Sequence, residues 1–334
     1  MEEVSVLDVH TVLDAFSGTT RVSQIFAQMG LDTTANDISE WSEVFGNCYL
    51  KSCRPDAFYQ EIIDMLNSLE GCDGWFTEHY GGSGETGKKP FQRHNTRKLD
   101  AIRDRMDTLG LEYVDKCVLL TSLIRALDAV DNTLGHYASY LSGWSPRSYR
   151  TMKMEVPRRF PLISENTVLK GDVFEALGHH YDLIYFDPPY GSNNEKMPPS
   201  RVRYASYYHL WKTVILNDRP ELFGKACRRA DSKDPVCTSV FEEYRKDENG
   251  KHIAMEAIDR LIGKADARYI LLSYSSGGRA TKNELAEIMN THGRLLRIRE
   301  IDCRKHVMSQ MSWTDRWTND YGPNKEFLFL IEKR

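Results

Sequence analysis

The chain has 334 residues, 41% of them hydrophobic and 28% charged, with a formal net charge of −4. That composition supports a packed core and excludes a disordered chain, while the slight acidity leaves room for a basic cleft on an acidic body. The seven cysteines, an odd number without a Cys-x-x-Cys pair, point to a reduced intracellular chain and offer no metal-ligand spacing. The N-terminus has no basic start followed by an apolar stretch, and no run of about 18 apolar residues occurs, so neither a signal peptide nor a membrane span is expected.

Thr11 to Phe16 reads as a buried strand that breaks at Ser17-Gly18-Thr19. Val22, Ile25, Phe26 and Met29 then recur at helical spacing up to Gly30. Thr33 to Ile38 is a second strand, with Asn36-Asp37 near its end. Strand, glycine turn, helix, strand and acid form the front half of a nucleotide-binding α/β unit.

The middle changes character. Phe58 to Leu69 is helical, and 71–87 is rich in glycine and polar residues. Leu99, Ile102, Met106 and Leu109 mark an amphipathic helix, and Val114, Cys117, Leu120, Ile124, Leu127 and Val130 mark a more apolar one. No strand alternates with these helices, so Phe58 to Phe160 reads as a helical insertion.

The α/β pattern resumes with strands over Thr167–Lys170 and Tyr181–Phe186, the latter an apolar run typical of a central parallel strand. Gly191 to Gly250 reads as an elaborated polar loop. A helix over Ala254–Ile262, a strand over Tyr269–Tyr274, a helix over Asn283–Met289 and strands over Leu295–Ile301 and Phe327–Ile331 follow. The expected fold is α/β: a doubly wound, mostly parallel seven-stranded sheet whose last two strands form an antiparallel edge hairpin, plus the helical insertion.

The chemistry centres on Asp187-Pro188-Pro189-Tyr190. Two prolines, lacking N–H groups, stop a strand abruptly and leave its last carbonyls free at the carboxyl end of the sheet, where open α/β sheets bind ligands. An exocyclic ring amine is a poor nucleophile because its lone pair is delocalised. Donating its two hydrogens to the Asp187 carboxylate and the Pro188 carbonyl would localise that pair, and the Tyr190 ring would stack on the base. The bland alternative is a strand-to-loop turn.

This tetrapeptide after an apolar strand, with Asp14-Ala15-Phe16-Ser17-Gly18-Thr19 upstream, resembles the adenine-specific amino-methyltransferases of type II restriction–modification systems. Their order of cofactor turn, recognition segment and catalytic tetrapeptide is the order here. The resemblance implies an S-adenosylmethionine-dependent catalytic domain over 1–57 and 160–334, with 58–159 as the DNA-recognition region. Within the latter, His79-Tyr80-Gly81-Gly82 and Asp131-Asn132-Thr133-Leu134-Gly135-His136-Tyr137 look like segments of a subset of that family.

Carried over by residue, Asp14 and the Phe16, Ser17, Gly18 and Thr19 turn would hold the cofactor's methionine end, Asp37 its ribose and Asp172 its adenine amine. Asp37 and Asp172 also suit plain helix capping. Thr19-Thr20 stands where the pattern has its last glycine, which makes the turn bulkier. The family's glycine–lysine segment ahead of the first strand has no counterpart in the ten residues before Thr11, so another segment, a partner subunit or a missing N-terminal stretch is expected to do that work, or it is not needed. Asp187 favours adenine over the cytosine amine and counts against protein-glutamine methylation, and the absence of a Pro-Cys pair argues against cytosine-ring chemistry.

A flipped base requires contacts to the surrounding duplex. Candidate basic groups are Lys88, Lys89, Arg93 and Arg97, then Arg147, Arg150, Arg158 and Arg159, then Arg201, Arg203, Arg228 and Arg229, and Lys305 in the last hairpin loop. Single charge runs are commonly solvated faces. The expected partners are double-stranded DNA and a companion restriction endonuclease or second methylase subunit, in a prokaryotic cytoplasm. The alternatives are RNA base-amine methylation and a catalytically inactive DNA-binding subunit.

Overall fold

The structure, a computed structural model, describes residues 2–84, 87, 89–191, 204–233, 239–243, 245–248, 250–303 and 324–334. Lys88, Arg201, Arg203 and Lys305 lie outside the described residues. The chain divides into two compact units: one of 1–38, 163–204 and 237–334, the other of 39–162 and 205–236.

The first unit is built on a seven-stranded sheet: β1 (Thr11–Asp14), β2 (Asp32–Asp37), β3 (Thr167–Lys170), β4 (Tyr181–Phe186), β5 (Ala267–Ser275), β6 (Gly293–Cys303) and β7 (Asn324–Lys333). Their spatial order is β6-β7-β5-β4-β1-β2-β3. Strands β1 to β5 pair in parallel, while β7 runs antiparallel to both β5 and β6. This is the expected α/β sheet with its antiparallel edge pair.

The alternation of side chains explains why it is covered on both sides. Leu13, Ile184, Ile270 and Leu272 enter one core with Ile258, Leu261 and Leu285 of the helices Ile253–Lys264 and Lys282–His292. Val12, Leu183, Tyr185 and Leu271 enter another with Phe26 of the helix Arg21–Gln28. A strand buried on both faces must read as a continuous apolar run, as Tyr181–Phe186 does. The outer strand β6 is studded with arginine and glutamate and carries a bulge between Leu295 and Arg297, which blunts the sheet edge. The strand order reverses between β1 and β4, which places the ligand crevice at their carboxyl ends.

The second unit is mainly helical, with one core formed by Trp41, Phe45, Tyr59, Ile63, Phe76, Leu99, Leu120, Ile124, Trp211 and others. Its extent differs from 58–159 at both ends. The helix Glu40–Gly46 and the π-helical turn Asn47–Lys51 belong to it, as does the later segment 205–236. That later segment corrects the reading of 191–250 as loop: His209–Leu216 is a helix whose Leu210, Trp211 and Val214 bury at helical spacing. Trp211 packs on Phe45 with ring centroids 5.6 Å apart. Arg103, 1% exposed, donates to the carbonyls of Val214 at 2.6 Å and Ile215 at 3.2 Å, satisfying the end of that helix. A short parallel pairing of Gly81–Gly82 with Phe91–Gln92 also interrupts what the sequence suggests is purely helical.

Candidate active site

Strand β1 ends on Asp14, and the chain turns through Ser17, Gly18 and Thr20 into the helix Arg21–Gln28. Gly18 takes φ +49°, a left-handed conformation that favours glycine. Thr20 takes φ +61°, so where the family's last glycine is replaced the backbone is still left-handed. That costs a β-branched residue on the order of 1–2 kcal/mol. Hydrogen bonds from Thr20 Oγ1 to the Thr19 carbonyl at 2.7 Å, and from Gln24 Nε2 to Thr20 Oγ1 at 3.1 Å, offset part of it.

The turn is tied to β2. Asp37 Oδ2 accepts from the Gly18 N–H at 2.9 Å, and the Asn36 carbonyl accepts from the Ser17 N–H at 2.9 Å. Phe16 packs edge-on against Phe241, with centroids 5.2 Å apart. Thr19 is exposed. Asp172 caps the short helix Val173–Ala176, Oδ1 accepting from the Phe174 N–H at 2.8 Å.

Asp14 is buried; Oδ2 accepts from Ser23 Oγ at 2.5 Å, and Oδ1 meets no hydrogen-bond donor among the described residues. Burial raises its carboxyl to about 7, opposed by Ser23 and reinforced by the charges of Asp187 and Asp37.

Strand β4 stops at Asp187. Burial raises the Asp187 carboxyl to about 6, with the Tyr190 hydroxyl opposing and the charge of Glu326 reinforcing. The Tyr190 hydroxyl contacts Asp187 Oδ1 and lies 2.9 Å from Glu326 Oε1, which also accepts from Ser273 Oγ at 2.7 Å. The Tyr190 ring sits 4.8 Å from the Tyr274 ring, and its carbonyl accepts from the Arg279 N–H at 3.0 Å. Gly278 permits this closeness: a Cβ there would lie 2.4 Å from Tyr274 and 3.0 Å from Tyr190. Ser273, Tyr274, Gly278 and Glu326 are not among the site residues read from the sequence. The legible signal was a glutamate sharing a face with Leu328 and Leu330 at the start of an apolar strand.

In the helical unit the basic candidates separate. Arg150, Lys153 and Arg158 are exposed. Arg93 and Arg97 are exposed but pair with Asp73 at 3.0 and 3.2 Å. Lys89 donates to the His79 carbonyl at 3.1 Å. Arg147 donates to the carbonyls of Asp131 and Thr133 and pairs with the Asp131 carboxylate. Arg159 is largely enclosed, donating to Ser52 Oγ at 3.0 Å with its guanidinium 4.6 Å over the Tyr59 ring. Arg229 is buried against Asp218 and Asp231. His79-Tyr80 and 131–137 serve the framework: Tyr80 Oη donates to the Cys227 carbonyl, Tyr137 Oη to Asp128, and Asn132 Oδ1 accepts from the Ser145 N–H. A surface cleft of about 410 Å³ is lined by Tyr140, Phe223, Lys225 and Arg228, the Lys225 ammonium 5.8 Å over Tyr140 and the Arg228 guanidinium 4.8 Å over Phe223. Among the described residues no group of three or more potential metal ligands occurs, and no helix is long and apolar enough to cross a membrane.

A doubly wound sheet with an Asp-Pro-Pro-Tyr strand end at its switch point defines an amino-methyltransferase. The profile of the D12 class N6 adenine-specific DNA methyltransferase family matches residues 1–253, and the chain belongs to that family. It is 25% identical to the type II methyltransferase M.NlaIII of Neisseria lactamica over 96% of this chain and 90% of that protein. It is 26% identical to the modification methylase StsI of Streptococcus sanguinis and 26% identical to the type II methyltransferase M.FokI of Planomicrobium okeanokoites, each over 98% of this chain. The chain spans about half the length of those two, 50% and 49% respectively. Membership implies a methyl donor, and Asp14 Oδ1, a buried acceptor with no donor among the described residues, fits a bound group at that strand end.

Proposed function

We propose that the chain methylates the N6 amine of an adenine flipped out of duplex DNA at a specific site, with S-adenosylmethionine as donor. The observation that carries this reading is Asp187: a half-buried carboxyl in contact with the Tyr190 hydroxyl and raised to about 6, placed directly after the central strand and followed by Pro188 and Tyr190. The target amine donates its hydrogens to the Asp187 carboxylate and the Pro188 carbonyl, and the Tyr190 ring stacks on the base. An acceptor near 6 also takes up the amine's surplus proton better than an ordinary carboxylate does.

Asp14, Ser17 and Gly18 hold the donor's methionine end and Asp37 its ribose, the turn bringing backbone close to it. When bound, S-adenosylmethionine supplies a methyl group already activated on a cationic sulfur, so the chain's own task is alignment and exclusion of water. Asp172 keeps its capping bond while serving the donor's adenine. The helical unit engages DNA through Arg150, Lys153, Arg158 and the Lys225–Arg228 cleft, with Lys88, Lys89, Arg93, Arg97, Arg201, Arg203 and Lys305 as further candidates. We also propose a companion restriction endonuclease or a second methylase subunit as partner, in keeping with the type II methyltransferase relatives.

Incubating the protein with labelled S-adenosylmethionine and separate pools of unmethylated DNA and RNA, then mapping methylated bases, tests the reading. N6-methyladenine at one sequence in DNA is the expected result. Label confined to RNA, or no label with the donor bound, overturns it.

A further inference from the structure

Glu326 stands outside the tetrapeptide and the donor turn, on the antiparallel strand β7, yet it reaches the same chemistry. Its Oε1 lies 2.9 Å from Tyr190 Oη and accepts from Ser273 Oγ at 2.7 Å. The Tyr190 hydroxyl also contacts Asp187 Oδ1. Tyr190 therefore has one hydrogen and two carboxylates to receive it.

That arithmetic has a consequence. While the phenol donates to Asp187 Oδ1, it takes up lone-pair density of that carboxylate and makes it a weaker acceptor for a target amine. A donor moved off Asp187 must go to another acceptor, because an unpaired buried hydroxyl is costly. Glu326 is that acceptor, already in reach and held in place by Ser273. We propose that Glu326 is a positioning residue for methyl transfer: it takes the Tyr190 phenol hydrogen bond as Asp187 turns to the adenine amine, and so holds the stacking ring while freeing the acceptor. The inference rests on the reading that Asp187 accepts from the target amine.

The test is a double-mutant cycle on Glu326 and Tyr190, read by single-turnover methylation of unmethylated genomic DNA with saturating S-adenosylmethionine. Glu326→Ala should slow transfer on the order of 30-fold, since a hydrogen bond to a charged acceptor is lost, with little change in the KM for DNA. Glu326→Gln keeps an acceptor oxygen for the phenol and should stay within roughly 5-fold of the parent. In a Tyr190→Phe background, Glu326→Ala should have no further effect, because the bond it serves is gone. Equal losses from Glu326→Ala in both backgrounds, or a folded Glu326→Gln protein as slow as the alanine variant, overturn the proposal. If the alanine variant does not fold, the glutamine variant alone decides. Asp187→Ala run alongside separates the two ideas: retained turnover there removes the amine-acceptor reading itself, whereas an additive cycle with Asp187→Ala inactive removes only the role of Glu326.

Discussion

In the sheet unit, the neighbours of Asp14 and Asp187 are hydroxyls and other carboxylates, and burial raises both acids, to about 7 and about 6. In the helical unit burial raises Asp128 to about 6 as well, but the buried acids there meet donors that join one element to another. Asp100 accepts from the N–H groups of Phe76 and Thr77 at 2.9 and 2.8 Å, and Asp115 accepts from Tyr59 Oη and Arg54 Nε. Even at the surface, where partial desolvation works against its charge, Asp107 is held down to about 2 by Lys116, Arg103 and Asn217. Acids that are fully paired hold a framework together; acids left under-paired are held ready for something that arrives. The contrast separates residues whose loss should cost folding from residues whose loss should cost function.

The largest expected effect is that of Asp187→Ala. It should lower single-turnover methylation by about 1,000-fold or more, while the melting temperature is kept or raised, because a raised carboxyl gains nothing from being charged in the fold. Substantial unfolding would place Asp187 with the framework acids instead. Next, Asp128→Ala should cost roughly 2–4 kcal/mol in urea unfolding, since Tyr137 Oη at 2.6 Å and Trp211 Nε1 at 3.0 Å lose their acceptor. Asp14→Asn should leave stability within about 1 kcal/mol and weaken S-adenosylmethionine binding about 10-fold or more, measured by calorimetry. A reversed pair of outcomes breaks the comparison.

Gly278→Ala should slow transfer about 10-fold without loss of DNA binding, by pushing Tyr274 and Tyr190 apart. The pH profile sharpens the same point. Asp187 accepts only when ionised, so the rate should fall about tenfold per unit as pH drops below about 6. A rate that stays level down to about pH 5 would mean that another group accepts from the amine. The smallest effect divides two adjacent arginines. Arg158→Ala should lower the slope of log affinity against log salt by about 0.9, the value for one phosphate contact. Arg159→Ala should leave that slope alone and reduce stability instead, because its guanidinium is committed to Ser52, Asp56 and Tyr59.

The sheet was legible because parallel strands announce themselves: Tyr181–Phe186 is apolar throughout, and each strand stops at turn residues. Asp187 and Tyr190 were legible because four consecutive residues carry both a geometry and a chemistry. Glu326 was not, since it reaches Tyr190 only through the pairing of β7 beside β5, a long-range fact. The helix His209–Leu216 was hidden by its polar flanks and by a partner, Arg103, more than a hundred residues away. Nor does the sequence tell Arg158 from Arg159, because exposure is decided by packing on Tyr59.

The division of the helical unit into 39–162 and 205–236 bears on engineering. Exchange of this unit between relatives is a four-junction operation. A graft of Ser39–Leu162 alone would strip Trp211 from Trp41 and Phe45 and leave Arg103 facing no helix end, so a hybrid built on two junctions should misfold before any change of target site could be read. The later segment has to travel with the earlier one as a single cargo.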